Sequence, residues 1–390
     1  MNKSGSTLGG ALLVSGTSIG GGMLALPVLT SLGGFVPSLV IYLCCWIFMA
    51  CTGLLFLEVS LWMPNDSNII TMAQRTLGTA GKIFAWVLYI FLFYCLTLAY
   101  IVGCGDLTSE LLELSPWQGS ALFLILFAPF VYAGTRIVGK LNIFLMLGLG
   151  ISFFIFVILG AGYVKWELLK YRNWNLAILG LPIAFTSFAY QGIIPTLVNY
   201  LHHDVKKIRR AILVGSFIPL ITYVIWQWLI LGIVPTEGPN GLAETLQKGE
   251  NAVYPLKFFI NSPIVYIVGQ YFAFFALVTS FFGVTLGLVD FLADGLQVKK
   301  TSFSKLYLCA LVFIPPFIVA LFYPHIFLTA LDYAGGFGCA LLLGLLPILM
   351  VWSGRYYLGL KSEFTFPGGK LALIALLLFV LFELIFEIIK

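Results

Sequence analysis

Eleven long apolar runs, separated by short polar segments, divide almost the whole chain. Each run is long enough to cross the roughly 30 Å hydrocarbon core of a bilayer as an α-helix. The runs occupy residues 6–31, 34–62, 82–109, 117–134, 138–163, 176–200, 208–234, 261–292, 304–322, 325–353 and 369–389. This pattern predicts an all-α polytopic membrane protein with eleven transmembrane helices.

The first apolar run carries a polar, glycine-rich interruption at residues 15–22. Glycine in a helix interior costs roughly 1 kcal/mol relative to alanine, and unpaired backbone groups survive at membrane depth only beside protein or a lined cavity. We therefore predict that the first helix is broken here and that its freed groups bind a ligand. The residues of this predicted site are Ser15, Gly16, Thr17, Ser18, Gly20, Gly21 and Gly22.

The broken helix offers groups of both signs to a ligand. The N–H groups of Gly20, Gly21 and Gly22 lie at the positive N-terminal end of the second half-helix, which suits a carboxylate. The carbonyl end of the first half of this helix, near Ser15 and Gly16, suits an ammonium group. So does the carbonyl end of the first half of the sixth helix, near Phe185 and Thr186, where a second break is predicted below. A small-xxx-small packing motif is the simpler alternative for the first helix.

A second interruption, at residues 179–195, opens the sixth run and a second set of five helices. Because five is odd, the second set is inverted relative to the first, as in many transporters. The pattern Gly-x-x-Asp-x-x-x-acid also occurs at the end of the third helix of each set, at residues 103–110 and 287–294. We predict a five-plus-five inverted repeat with broken first and sixth helices, divided into residues 1–173, 174–354 and an extra helix in 355–390.

Composition and charge support membrane insertion and fix an orientation. Hydrophobic residues make up 61% of the chain and charged residues 9%, against about a quarter charged in soluble domains. Fifteen of the 21 Lys and Arg residues fall on one side of the predicted helices. Because short cytoplasmic loops carry such an excess, we predict a cytoplasmic N-terminus and an external C-terminus. The net charge of +5 then indicates orientation and not nucleic-acid binding.

Two candidate motifs, one catalytic and one metal-binding, are rejected. Residues 16–20 match the G-x-S-x-G nucleophile elbow, but that motif needs a preceding strand and a nearby histidine base, and the three histidines all lie at predicted helix ends. His202, His203 and Asp204 lie in one short loop without a further ligand at suitable spacing. The seven cysteines lie inside apolar runs and are interpreted as small buried hydrophobes. We therefore expect neither an enzyme, nor a metal, nor a cofactor.

Five segments carry a family resemblance that covers essentially the whole chain. They read GTSIGGGMLALP, SFAYQGIIPTLVNY, GSFIPLITYVIWQ, TSFFGVTLGLVDFLADGL and ALDYAGGFGCALLLGLLPILMVW. These segments resemble the bacterial aromatic amino acid permeases, and most closely the tyrosine and tryptophan permeases. The resemblance implies the inverted-repeat fold of the amino acid transporter superfamily and uptake of an aromatic amino acid with a proton. Family members often place a histidine where this chain has Gln191.

Polar and aromatic residues near the sixth-helix break are predicted to hold the substrate side chain. Polar groups at mid-bilayer are costly unless they face a cavity, which favours Tyr190 and Gln191 over the many phenylalanines. The predicted pocket comprises Tyr94, Phe188, Tyr190 and Gln191.

For the coupling ion the sequence leaves alternatives open. Thr279 and Ser280 resemble a hydroxyl pair that sodium-coupled members of the superfamily use with first-helix carbonyls, here those of Gly16 and Ile19. Membrane-helix hydroxyls also commonly bond back to their own turn. Glu58, Asp290 and Asp332 lie within predicted spans and are the candidates for proton coupling or gating. For Glu58 and Asp290 the alternative is a solvated acid at the membrane interface.

Together these observations predict a symporter that imports an aromatic amino acid, tyrosine first, with a proton, by alternating access. Tryptophan or phenylalanine uptake and sodium coupling are the alternatives, and a channel is disfavoured because no filter loop or pore-lining ring is found. The expected partners are a small aromatic amino acid and membrane lipid, without nucleic acid or an obligate protein partner. The expected location is the bacterial inner membrane.

Overall fold

The structure, a computed structural model, describes residues 5–64, 67–298 and 301–390. Within these ranges ten helices are long and apolar enough to cross a membrane, and a bent pair near the N-terminus brings the number to eleven. The predicted all-α fold with eleven spans is thereby confirmed. Lys3, Lys299 and Lys300, which contributed to the orientation argument, lie outside the described residues.

The first five spans begin with a broken helix. α1 (Thr7–Ser18) and α2 (Gly22–Thr30) form the first span, and the segments on either side of the break meet at 57°. The following four spans are α3 (Phe35–Leu61), α4 (Ile69–Leu112), α5 (Pro116–Ala133) and α6 (Thr135–Gly160). Short 3-10 turns at Ser31–Gly33, Ala161–Tyr163 and Leu168–Lys170 lie in the connections.

The sixth span is also broken, as predicted. It consists of α7 (Trp174–Ala177), a 3-10 turn (Ile178–Gly180), α8 (Leu181–Ser187), a second 3-10 turn (Gln191–Ile193) and α9 (Ile194–Tyr200). The later spans are α10 (Val205–Ile233), α13 (Pro263–Gly295) and α14 (Ser302–Phe322). Two short helices, α11 (Leu242–Lys248) and α12 (Leu256–Phe259), lie in the loop between α10 and α13.

The tenth span changes its helical form twice. It runs from α15 (Phe327–Tyr333) through a π-helix (Ala334–Leu345) to α16 (Leu346–Tyr356), and α17 (Gly369–Ile389) completes the bundle. π-Helical turns are rare and are frequently found at functional sites. The tenth span is therefore irregular near its middle, which the hydrophobic pattern did not predict.

One boundary differs clearly from the hydropathy prediction. The third span was expected to begin at residue 82, but α4 starts at Ile69 and turns at Gly78 (φ 73°, ψ −162°). Before that turn, Ile69, Met72 and Thr76 are buried at helical spacing while the opposite face is exposed. A short amphipathic helix of this kind has too few apolar residues to register as a membrane span.

The two broken helices lie at the centre of the bundle. All nine residues of α2 and all seven of α8 are buried, and these two half-helices pack against each other. α1 packs against α10, and α8 packs against the π-helix. The chain thus places its least regular segments where surrounding protein can supply partners for their backbone.

The bundle has two opposite faces. The basic face is the one at which α10 begins with Lys206, Lys207, Arg209 and Arg210. It carries the connection between α9 and α10, residues 201–204, where Asp204 caps α10 by accepting the amide of Lys207 (3.1 Å). That backbone hydrogen bond lowers the pKa of Asp204. The opposite face carries the loop between α10 and α13 with the helices α11 and α12.

Candidate functional site

The break in the first span frees two of the three predicted amide groups. In the described parts of the chain, the amides of Gly20 and Gly22 reach no hydrogen-bond acceptor. The amide of Gly21 is different, because it donates to Ser280 Oγ on α13 (3.0 Å). The start of α2 therefore offers two unpaired N–H groups, and the third fastens the break to α13.

The carbonyl groups at the two breaks divide in a similar way. Those of Gly16 and Thr17 accept no hydrogen bond from any residue that the structure describes. Those of Ser18 and Ser187, the last residues of α1 and α8, both lie 2.8 Å from Tyr223 Oη and share its single proton. One buried hydroxyl on α10 thus bridges the ends of both first half-helices. Sequence reasoning missed Tyr223, although a tyrosine in the middle of an apolar run was a usable signal.

The break in the sixth span is anchored to α3. The side chain of Gln191 is fully buried, and its Nε2 donates to the Met49 carbonyl (3.2 Å) and to Thr52 Oγ1 (3.0 Å). Its Oε1 accepts from the Tyr190 amide (2.9 Å), and Tyr190 Oη donates to the Met49 carbonyl (3.0 Å). Gln191 is therefore a structural link within the break and does not face the cavity described next.

A cavity of about 750 Å³ lies between the two breaks. Its walls come from both broken spans and from α4, α6, α13 and the π-helix. Toward the basic face its lining becomes polar and includes Asn68, Asn199 and Asp294. The cavity therefore extends from the unpaired backbone groups toward the basic face.

One wall of the cavity is a stack of three aromatic rings. Tyr89 and Phe93 of α4 stack with their centroids 4.1 Å apart, and Tyr89 stacks on Phe291 of α13 at 4.0 Å. Tyr100, further toward the C-terminal end of α4, also lines the cavity. None of these rings was predicted, because helical spacing alone cannot tell a cavity-facing ring from a lipid-facing ring in a chain with 35 phenylalanines.

A further polar side chain enters the cavity wall from α6. Asn142 lines the cavity, and its buried Oδ1 has no hydrogen-bond partner among the described residues. An unsatisfied buried acceptor costs about 1–3 kcal/mol, so a ligand that donates a hydrogen bond here would be favoured. Asn142 was not among the predicted residues, although it is a lone amide in an apolar run.

Most of the predicted site residues come together at this cavity. The predicted residues that line it are Gly16, Thr17, Ser18, Ile19, Gly20, Gly22, Thr186, Tyr190, Thr279, Ser280 and Asp290. The predicted residues outside its lining are Ser15, Gly21, Glu58, Tyr94, Phe185, Phe188, Gln191 and Asp332.

Four of the residues outside the lining pack within the protein. Phe185 lies nearly parallel to Phe379 of α17, and Phe188 lies edge-on to Tyr223. Tyr94 Oη donates to a main-chain carbonyl in α14 (2.7 Å). The hydroxyl of Ser15 is directed back to a carbonyl of its own helix (3.3 Å). The first three contacts hold helices together, the contact of Ser15 lies within α1, and none of the four residues lines the cavity.

The hydroxyl pair on α13 bonds to its own helix. Thr279 Oγ1 donates to the Phe275 carbonyl (2.8 Å), and Ser280 Oγ donates to the Ala276 carbonyl (2.9 Å). Ser280 Oγ also receives the Gly21 amide, so its donor and one acceptor position are occupied. This is the back-bonding that membrane-helix hydroxyls commonly make.

Glu58 is not the solvated interfacial acid of the alternative interpretation. Only 1% of it is exposed, and it forms a two-pronged ion pair with Arg355 of α16 (2.6 and 2.5 Å). It also accepts the amide of Phe366 (2.8 Å). The solvated alternative fails because a basic residue 297 positions away folds over the carboxylate, and a coupling role for Glu58 stays a prediction.

The other two predicted acids lie far apart. Asp290 is half-buried and lines the cavity toward the basic face. Asp332 contacts Lys390 and lines a separate pocket of about 280 Å³ together with residues of the loop on the opposite face. Asp332 thus lies on the side of the bundle away from the cavity mouth.

Comparison with known proteins agrees with this architecture. The tyrosine-specific transport system 1 of Haemophilus influenzae is 36% identical over 97% of this chain and 94% of its own length. A tryptophan-specific transport protein of the same organism is 28% identical over 99% of this chain and 96% of its own length. The crystal structure of a manganese transporter from Eremococcus coleocola aligns with a TM-score of 0.61 at 12% identity, covering 98% of this chain and 85% of that one.

The last similarity is one of fold alone, because its sequence identity is low. The relatives named by substrate are transport proteins and not enzymes. The model of the tryptophan/tyrosine permease family matches residues 3–387, which is almost the entire chain. With broken first and sixth helices around a central cavity, this multi-pass membrane protein belongs to the tryptophan/tyrosine permease family.

Proposed function

We propose that this protein imports an aromatic amino acid, with tyrosine preferred to tryptophan and phenylalanine, and that a proton is the coupled ion. Support for tyrosine comes from the relative at 36% identity, which is named as tyrosine-specific. Support for an amino acid of any kind comes from the cavity, where unpaired donors and acceptors of one broken helix stand opposite a wall of aromatic rings.

The observation that carries this function is the pair of free amides at the start of α2. We assign the substrate carboxylate to the N–H groups of Gly20 and Gly22, which have the positive helix end behind them. A hydrogen bond to a charged group contributes about 1.5–3 kcal/mol. Two such bonds then contribute about 3–6 kcal/mol, roughly a 10²- to 10⁴-fold difference in affinity.

The ammonium group and the side chain follow from the same orientation. We assign the ammonium to the free carbonyls of Gly16 and Thr17, which precede the amides by one turn. The substrate ring then lies beside the stacked wall that includes Tyr89, since offset and edge-to-face aromatic contacts are favourable. The phenol of tyrosine has a donor for Asn142 Oδ1, which phenylalanine lacks.

The direction of transport rests on the positive-inside rule. We propose that the N-terminus and the basic face are cytoplasmic and that the C-terminus is periplasmic, in a bacterial inner membrane. In this orientation the cavity opens toward the cytoplasm. We further propose that residues 1–173 and 174–354 are inverted five-helix repeats that move relative to each other during alternating access, with residues 355–390 as an added helix.

Substrate analogues test the proposed contacts one at a time in proteoliposomes. Unlabelled tyrosine, tyrosine amide, N-acetyltyrosine, phenylalanine and tryptophan compete against uptake of labelled tyrosine, with glutamine as the non-aromatic control. We expect tyrosine amide and N-acetyltyrosine to compete at least about 10²-fold more weakly than tyrosine, because each loses one set of charge-assisted bonds. Tyrosine amide that competes as well as tyrosine would contradict the assignment of Gly20 and Gly22.

The coupling ion is tested in the same vesicles with separately imposed gradients. Tyrosine accumulation driven by an inward proton gradient, and absent with a sodium gradient, is the expected result. Accumulation with a sodium gradient alone would identify sodium as the coupled ion in place of the proton and would direct attention to Thr279 and Ser280. Accumulation of glutamine but not of any aromatic amino acid would overturn the substrate class.

A further inference from the structure

Three acidic side chains meet between α17 and the tenth span, on the side of the bundle away from the cavity. We define the outer acid cluster as Asp332, Glu383 and Glu387 together with Lys390. Glu383 is 0% exposed, Asp332 7% and Glu387 8%. Two of these acids, Glu383 and Glu387, were not singled out from the sequence, and no step of the transport described so far uses them.

The glutamates point into the protein and not into lipid. Four residues of α17 are buried: Leu373, Val380, Glu383 and Glu387. Their spacing of seven, three and four residues lies along one helix face, and that face packs against the π-helix. A Cβ on Gly336 of the π-helix would lie 2.7 Å from Glu387 Cδ, so the glycine leaves room for the carboxyl group.

The cluster lacks the partners that buried acids normally have. Neither carboxyl oxygen of Glu383 has a hydrogen-bond partner among the described residues, and the same holds for Asp332 Oδ1 and Glu387 Oε2. Lys390 contacts Asp332 and lies 3.6 Å from Glu387 Oε2. Three carboxyl groups therefore share one ammonium group, and Glu383 is the acid without a direct contact to it.

The remaining groups near Glu383 bring no positive charge. On the helices packed around it, the other titratable side chains that interact with it are the thiols of Cys45 on α3 and Cys339 on the π-helix. An unpaired carboxylate inside a membrane protein is strongly unfavourable. Glu383 must therefore carry its proton in this conformation, or the cluster must take up another cation.

The described residues argue against a metal ion, and a pocket gives protons access to the cluster. No group of three or more His, Cys, Asp or Glu side chains among the described residues is arranged to hold a metal. The cluster also has a route to water, because Asp332 and Lys390 line the pocket of about 280 Å³ beside Gln247 and His325 on the opposite face. Protons from that face can reach Asp332 without passing through the main cavity.

The cluster is also linked to the cavity through the tenth span. The carbonyl of Leu331, next to Asp332, accepts a hydrogen bond from Thr186 Oγ1 (2.8 Å). Thr186 lies at the end of α8 and lines the cavity between the breaks. A movement of the tenth span that follows protonation is thereby transmitted to the sixth-span break.

We propose that the outer acid cluster is the binding site of the coupled proton, with Glu383 as the residue that holds it. This rests on the proposed proton coupling and adds its location. The proton enters from the opposite face, neutralises the excess negative charge of the cluster and favours the packing of α17 on the π-helix seen here. Release of the proton to the cytoplasm, in the conformation that exposes the cluster to that side, separates the charged groups and loosens that packing.

Glu383→Gln tests the proposal, since glutamine has the shape of the protonated acid. An inward gradient of one pH unit supports about tenfold accumulation by a symporter of one proton. We expect the variant to equilibrate tyrosine without accumulating it, while the exchange of labelled for unlabelled tyrosine continues at the wild-type rate. Glu167→Gln is the control, because that side chain is 81% exposed on the opposite face, and it should accumulate tyrosine normally.

A second measurement does not depend on transport. The infrared spectrum of the wild type at neutral pH, minus that of Glu383→Gln, should show the C=O stretch of a protonated buried carboxyl that the variant lacks. Normal accumulation by Glu383→Gln, loss of exchange together with accumulation, or absence of the carboxyl band in the wild type would each overturn the proposal. If the wild type shows the band but accumulates no aromatic amino acid, the proposed transport function has failed and the proton site has not.

Discussion

Tyr223→Phe removes a single oxygen atom from the point where the two broken helices meet. In the wild type, Tyr223 Oη lies 2.8 Å from the carbonyls of both Ser18 and Ser187. Tyr223 is 0% exposed, so water cannot replace the hydroxyl without rearrangement. The ring remains and keeps its edge-on contact with Phe188. The variant therefore tests the bridge between the breaks with little change in packing.

The expected magnitude follows from the number of donated protons. A hydroxyl has one proton, so it supplies about one hydrogen bond, and leaving a buried acceptor unsatisfied costs about 1–3 kcal/mol. If the breaks are preorganised for substrate, the same free energy is lost from binding. We expect the dissociation constant for tyrosine to rise roughly 5- to 150-fold, since that is the range of 1–3 kcal/mol.

Binding of labelled tyrosine to the detergent-solubilised protein measures this change, and thermal unfolding of the same samples measures stability. Tyr271→Phe is the matched control, because Tyr271 is 58% exposed on α13 and lies outside the cavity. An unchanged affinity and an unchanged unfolding temperature for Tyr223→Phe, relative to that control, would refute the bridge as an organiser of the site.

Three further predictions concern the cavity, the ion pair and the orientation. Gly283→Leu should block uptake with little loss of stability, because a Cβ there meets no atom within 4 Å and the leucine side chain fills the cavity. Gly150→Leu is the control and should transport normally, because Gly150 also has no neighbour within 4 Å but lies outside the cavity lining. Glu58→Ala should destabilise the protein by about 3–5 kcal/mol in thermal unfolding, since it leaves the guanidinium of Arg355 without its buried partner; stability equal to the wild type would contradict this. A reporter domain fused after Lys390 should be active only in the periplasm, and cytoplasmic activity would contradict the predicted orientation.

The sequence by itself determined the class of protein, the number of spans and the position of both breaks. Runs of apolar residues predict spans because the bilayer excludes unpaired polar groups over a fixed thickness. Glycines and hydroxyls at residues 15–22 predict a break because they weaken a helix that has no water to replace its lost bonds. These are local properties, so they can be recognised without knowledge of any contact.

Tertiary structure alone decided which groups at the breaks remain free. Gly20, Gly21 and Gly22 are equivalent in sequence, yet only the amide of Gly21 donates to Ser280 Oγ, 259 positions away. From the sequence Glu58 was either a coupling acid or a solvated interfacial acid, and only the fold shows that Arg355 lies over it. Glu383 was not singled out from the sequence, and only the packing of α17 against the π-helix shows that it is buried. Hydrogen bonds and burial depend on pairs of residues distant in the chain, and a single sequence carries no record of which pairs meet.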